Sequence, residues 1–161
     1  MEKTIVTKGN IFYYNTDIGR IGIAEKDGMI TNLFFDIDEF EEEFVIKETD
    51  ILKEANNQLQ EYLAGKRKEF HLPLAPYGTE FRKNVWVILC AISYGETKSY
   101  KEIAQIIGNP KACRAVGSAN NKTPIPIFIP CHRVIGASGK LVGYRGGLKI
   151  KEHLLKLEKA I

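Results

Sequence analysis

Cysteine is scarce in this chain and is not arranged for a structural role. Cys90, Cys113 and Cys131 are odd in number and form no C-x-x-C pair, which argues against a disulfide framework and against a structural zinc site. At least one thiol is therefore expected to be free. Also missing is any run approaching the ~18 apolar residues of a membrane-spanning helix, and Glu2 and Lys3 precede Thr4-Ile5-Val6 without the layout of a signal peptide. The expectation is a soluble, cytoplasmic protein with no membrane association. Extremes of composition are absent too: 44% hydrophobic and 27% charged residues are ordinary globular values, so disorder, collagen and coiled coil describe the chain poorly. Its 161 residues suffice for one ordinary domain or two small ones.

What is present is unevenly spread. Residues 1–81 hold 9 Lys and Arg against 16 Asp and Glu, while residues 82–161 hold 14 against 4, so the first part is acidic by 7 and the second basic by 10. A basic region of that size attracts anions such as a phosphate backbone, although a solvated basic surface has the same composition.

Ile11–Tyr14, Ile21–Ile23 and Met29–Phe35 are strand-like, with Asp27-Gly28 as a hairpin turn between the last two, and predict a small antiparallel sheet. The acidic run 38–43 reads as a solvated segment. Leu52, Ala55, Leu59 and Leu63 recur at helical spacing, and Gly65 with Lys66-Arg67-Lys68 ends that helix. Pro73 and Pro76 mark a linker, and the change of charge sign puts a boundary near residue 77. Beyond it, Thr79 is an N-cap for a helix whose face carries Phe81, Val85, Ile88, Leu89 and Ile92, with Cys90 as core filler. Ser99 and Glu102 make a capping box for a second helix with Tyr100, Ile103, Ala104 and Ile107 inward, and Gly108-Asn109-Pro110 stops it. A third helix from about Lys111 carries Arg114, Ala115, Gly117 and Ser118, completing a helix-turn-helix pattern. The small residues permit close approach to another surface. The fold class is therefore α+β: residues 1–77 form a small sheet with one helix, and residues 78–161 form a mainly helical domain.

Ile125–Ile129 is apolar and β-prone and reads as a buried strand that delivers the chain into Pro130-Cys131-His132-Arg133-Val134. A cysteine is nucleophilic as thiolate, and neighbouring His and Arg are the residues that lower its pKa or take its proton. A glycine-rich loop follows, from Gly136 to Gly147. It lacks the spacing of a phosphate-binding P-loop, since no glycine stands at position 134 and Leu141 follows Lys140. Ile150, Leu154, Leu157 and Ile161 form the stripe of a last helix, with Glu158 beside it, where a carboxylate can orient His132.

Pro-Cys-His-Arg-Val, preceded by Thr-Pro-Ile-Pro-Ile and followed by Gly-Tyr-Arg-Gly-Gly-Leu and Leu-Leu-Lys-Leu-Glu, resembles the O6-alkylguanine-DNA alkyltransferases. The likeness runs in order through Gly78-Thr79-Glu80-Phe81, Tyr94-Gly95-Glu96-Thr97, Ser99-Tyr100, Gly108-Asn109-Pro110-Lys111 and Arg114-Ala115-Val116-Gly117, and so covers residues 78–158. The resemblance implies that Cys131 takes an alkyl group irreversibly from O6 of guanine in double-stranded DNA, once per molecule, with no cofactor. It implies further that Arg114 fills the place of a flipped nucleotide, and that the helix bearing Ala115, Gly117 and Ser118 lies in the minor groove. Tyr100 would donate to the purine N3. The base pocket would comprise Cys131, Val134, Tyr144, Arg145 and Asn120, with His132, oriented by Glu158, taking the thiol proton through water. Three positions depart from the family pattern: Thr123 stands where the family often has Asn, Asn120 where some relatives have a larger apolar residue, and Arg145 where some have Ser. Some relatives hold zinc in the N-terminal part. With no cysteine in residues 1–81 and His71 as their one histidine, no metal is expected here. A monomer is expected. The competing readings are a non-catalytic alkyltransferase-like protein that binds the lesion and transfers nothing, and a thiol hydrolase using Cys131 and His132.

Overall fold

The computed structural model describes residues 8–161, and the Thr4–Val6 segment lies outside them. Strands β1 (Asn10–Thr16), β2 (Gly19–Lys26) and β3 (Met29–Phe35) form an antiparallel meander, and a short β4 (Val45–Ile46) adds in parallel to β1, giving the order β3-β2-β1-β4. Asp27 and Gly28 both have positive φ, 53° and 79°, as the tight two-residue turn between β2 and β3 requires. Helix α1 (Asp50–Leu63) buries Leu52, Ala55, Leu59 and Leu63 as its spacing predicts, and Tyr62 beside them. Its stripe packs on Ile21, Ile23, Leu33 and Phe35 of the sheet. On the other sheet face Ile11, Ala24 and Phe34 form a smaller cluster, against which Phe40 and Phe44 pack. Here the acidic run is less solvated than its composition suggests, because Phe40 stacks on Phe34 at 4.0 Å and Asp38 accepts from the Phe35 amide at 2.7 Å. The proline segment is pinned along the β3 edge: the Ile30 amide donates to Pro73 and the Ala75 amide to Ile30, both at 2.8 Å.

Helix α2 (Glu80–Cys90) opens with the Thr79 hydroxyl accepting from the Arg82 amide. A two-residue strand β5 (Lys98–Ser99) leads into α3 (Tyr100–Ile106), whose Ser99–Glu102 capping box is complete. Helix α4 is Cys113–Asn121, two residues later in its start than the sequence suggests. Trp86, fully within the core, donates its indole N–H to the Ala119 carbonyl at 2.9 Å and so fixes α4 against α2. Cys90 is exposed rather than core filler: it is the last residue of α2 and lines an open groove with Lys68–Leu72 and Tyr94. Two more elements follow: β6 (Val134–Ile135), parallel to β5, and α5 (Leu148–Leu157). Leu154 and Leu155 are buried on α5, but Ile161 is 54% exposed. The helix ends at Leu157 and Lys159 adopts φ 57°, so the helical phase is lost before Ile161 is reached.

One hydrophobic cluster joins the sheet and α1 to Val85, Leu89, Ile103, Val116, Ile129, Val134 and Leu154. Among the described residues no helix is long and apolar enough to cross a membrane.

Candidate active site

Residues 125–129 are not a strand. Pro124, Pro126 and Pro130 cannot donate to a sheet ladder, and the segment folds on itself instead. The Phe128 amide donates to Pro126, the Ile129 amide to Ile125 and the Cys131 amide to Ile129, at 2.7–2.9 Å, with Ile127 at φ 73°. Cys131, His132 and Arg133 then form a single 3₁₀ turn. At three residues per turn their side chains diverge by about 120°, so thiol, imidazole and guanidinium leave one turn in three directions. All three residues are buried.

His132 and Arg133 converge on Glu158, the C-cap of α5. Imidazole Nε2 lies 2.7 Å from Glu158 Oε2, Arg133 Nε donates to Oε1 at 2.8 Å, and Arg133 Nη2 donates to Oε2 at 3.1 Å. The Gly95 amide donates to Oε1, and the hydroxyl of Tyr62, from α1, donates to Oε2. Burial alone would raise the Glu158 pKa, but the hydrogen bonds from His132, Arg133 and Tyr62 hold it down at about 2. Burial also lowers the His132 pKa, against the pull of Glu158, so the ring is neutral at physiological pH. With a carboxylate at Nε2 the proton resides there, which leaves Nδ1 as a bare acceptor. Nδ1 has no partner among the described residues.

The thiol behaves differently from the sequence expectation. Burial pushes Cys131 up to about 11, against the Thr123 hydroxyl, the charge of Lys151 and the backbone at Ile127 and Cys131, which act in the opposite direction. At neutral pH the thiol is thus held protonated. Lys151 is fully buried on α5 and donates to the carbonyls of Val134 (2.6 Å), Val142 (3.2 Å) and Gly143 (3.1 Å), tying the glycine-rich loop to the 3₁₀ turn.

Tyr100, Cys113, Arg114, Gly117, Asn121, Val142 and Gly143 line a cavity of about 340 Å³ between α3, α4 and the loop. Tyr100 donates to the Val142 carbonyl across it at 2.9 Å, and burial and the nearby Cys131 raise its pKa. On α4, Arg114, Ala115 and Ser118 are exposed on the outward side while Gly117 faces the Tyr100 ring. Asn120 is buried and donates to the Cys131 carbonyl at 3.3 Å. Tyr144 packs edge-on to Phe35, and its buried hydroxyl has no partner among the described residues. The Arg145 side chain turns away to Asp38 Oδ1 (3.1 Å) and the Thr123 carbonyl (2.9 Å). Glycine is required at 146, where a Cβ would come within 2.9–3.0 Å of the Phe35 ring.

Two residues of this site escape a reading of the sequence by apolar stripes. Tyr62 follows Ala55 by seven positions and Lys151 precedes Leu154 by three and Glu158 by seven, the spacings of a shared helix face. Among the described residues no group of three or more His, Cys, Asp and Glu is placed to hold a metal.

Residues 12–76 match the ribonuclease-like domain, and residues 80–160 the DNA-binding domain, of 6-O-methylguanine DNA methyltransferases. The chain is 60% identical over 113 residues to the methylated-DNA–protein-cysteine methyltransferase of Methanosarcina mazei, covering 70% of this chain and 72% of that one. It is 48% identical over 157 residues to the constitutive enzyme of that name from Bacillus subtilis, covering 91% and 95%. Its fold superposes on the crystal structure of Mycobacterium tuberculosis OGT in complex with DNA with a TM-score of 0.89 at 44% identity, over 94% of this chain and 93% of that one. A buried cysteine beside a histidine–carboxylate pair, below a helix-turn-helix, thus comes with likeness along nearly the whole chain, and the protein belongs to the methylated-DNA–protein-cysteine methyltransferase family.

Proposed function

We propose that the protein repairs DNA directly, moving the alkyl group of O6-alkylguanine onto Sγ of Cys131 in one irreversible event per molecule. The observation that carries this reading is a buried thiol and a buried imidazole on one 3₁₀ turn, with Nε2 of the imidazole held 2.7 Å from the Glu158 carboxylate and Nδ1 left without a partner among the described residues. Deprotonation then occurs when the substrate is in place, by way of His132 Nδ1 and a water. Sγ attacks the alkyl carbon, the bond from that carbon to O6 breaks, and its electron pair passes to the guanine. A proton from Tyr100 to the purine N3 neutralises the leaving base. Before that step Tyr100 gives up its bond to Val142. Lys151 keeps the carbonyl edge of the loop in place and favours the developing thiolate.

The DNA partner is a duplex engaged through its minor groove by the exposed side of α4, with Arg114 entering the stack and Ala115, Gly117 and Ser118 allowing close approach. The flipped base is read by Val134, Tyr144, the main chain at Arg145, and the Cys131 carbonyl that Asn120 holds. Residues 1–77 support this centre and residues 78–161 carry it, in a monomer working where the genome is, in the cytoplasm of a cell without a nucleus or inside a nucleus. The lesion-binding alternative is not favoured, because the acceptor thiol is present and the relatives are named as methyltransferases. Intact mass after incubation with duplex DNA containing O6-methylguanine tests the proposal. A gain of one CH₂, located on Cys131, supports it, and an unchanged mass overturns it.

A further inference from the structure

The carboxylate of Glu158 receives hydrogen bonds from four residues, and three of them, Gly95, His132 and Arg133, belong to the second half of the chain. The fourth is Tyr62, 96 positions away on α1. Its ring is fully buried, held between Phe70 (centroids 5.1 Å) and Tyr94 (6.2 Å), so the hydroxyl has one direction available. That direction is toward Oε2, the same oxygen that faces His132, and the hydroxyl also lies 3.4 Å from His132 Nε2. We propose that Tyr62 is a positioning residue for alkyl transfer: by donating to Oε2 it draws off part of the carboxylate charge, so that Glu158 orients His132 without protonating it.

This rests on the relay reading above. The physical argument is a competition for one oxygen. Oε2 shared among Tyr62, His132 and Arg133 is a weaker base than Oε2 shared between two of them. Without the phenol, the imidazolium of His132 gains stability, and an imidazolium cannot take the thiol proton. The groups facing His132 are Glu158 and Lys151 on α5, Arg133 on its own turn and Tyr62 on α1, with Tyr94 beyond Arg133. Of these, Arg133 and Lys151 oppose its protonation and Glu158 favours it. Tyr62 is a neutral donor whose pKa burial raises far above physiological pH, so it stays a donor throughout.

Tyr62→Phe keeps the ring and deletes the oxygen. The rate of Cys131 alkylation by free O6-benzylguanine, followed by intact mass across about pH 5.5 to 9, reports the acid limb set by His132. The proposal expects that limb to move to higher pH in Tyr62→Phe. At the acid end the reaction should slow about tenfold for each pH unit the limb moves, and at the alkaline end it should change little. In a His132→Ala background the same substitution is expected to add nothing. A uniform slowing across pH, or no slowing, in Tyr62→Phe while His132→Ala removes the limb overturns the role of Tyr62 and leaves the relay standing. A pH profile unchanged by His132→Ala overturns the relay and the role of Tyr62 with it. Thermal unfolding of each variant separates loss of fold from loss of reactivity.

Discussion

The two sides of the Cys131–Arg133 turn treat buried polar atoms in opposite ways. Toward Glu158, both carboxylate oxygens are filled and the Arg133 guanidinium also reaches the Ile92 carbonyl at 2.7 Å. Toward the thiol, His132 Nδ1, Asn120 Oδ1 and the Tyr144 hydroxyl are buried without partners among the described residues. A closed network fixes geometry at low cost in strain, whereas a buried polar atom that no protein group pairs is left to solvent or to a ligand. The first side is completed by the protein itself, and in the reading proposed above the second is completed by substrate and water.

The largest effect expected from breaking this division is on the open side. Cys131→Ser should abolish alkyl transfer, because an alcohol of far higher pKa is no nucleophile here, while DNA binding stays near wild type. A CH₂ gain in that variant, read by intact mass, would name another acceptor. Next comes the closed side. Glu158→Gln removes the charge that balances buried Arg133, and loss of one partner of such a pair costs about 3–5 kcal/mol. Near-isosteric replacement is therefore expected to harm stability as well as reactivity. The sign in pH follows from the depressed carboxyl: its contribution is present above the unfolded value near 4.3, and is lost as pH falls toward about 2. Chemical denaturation of wild type should show that acid loss, about 3 kcal/mol in size, and Glu158→Gln should lack it.

Arg114→Ala sharpens the comparison by touching neither side. Base extrusion costs on the order of a few kcal/mol, so repair in duplex DNA should slow strongly while reaction with free O6-benzylguanine stays unchanged. Equal slowing in both assays would give Arg114 a structural role. The smallest effect is expected from Tyr144→Phe. Removing a buried hydroxyl that has no partner among the described residues should leave stability unchanged or raise it by about 1 kcal/mol. A clear fall in the unfolding midpoint would mean that this hydroxyl is paired and the thiol side is not open.

Much of this was legible where the signal is local. Asp27-Gly28, the Ser99–Glu102 capping box and the Thr79 cap each act within four residues, and each forms as the sequence predicts. Cys131 and His132 stand out as a dipeptide, and Glu158 by its position beside Leu154. Misreading begins where one signal hides another. The apolar run Ile125–Ile129 looks like a strand until its prolines are counted as missing donors. Lys151 and Tyr62 occupy apolar stripes and so are passed over as polar partners. The Arg145–Asp38 pair spans 107 positions and leaves no local pattern at all.

The burial of Cys131 also bears on how long an unused molecule lasts. A protein that acts once must keep its thiol intact until a lesion arrives, amid oxidants and electrophiles that consume thiolates indiscriminately. A cysteine in an open chain titrates near 8.5, and raising that to about 11 makes the thiolate at neutral pH more than about a hundredfold rarer. Folding thus slows the chemical ageing of this thiol and, in the reading proposed above, leaves its reactivity to be called up by His132.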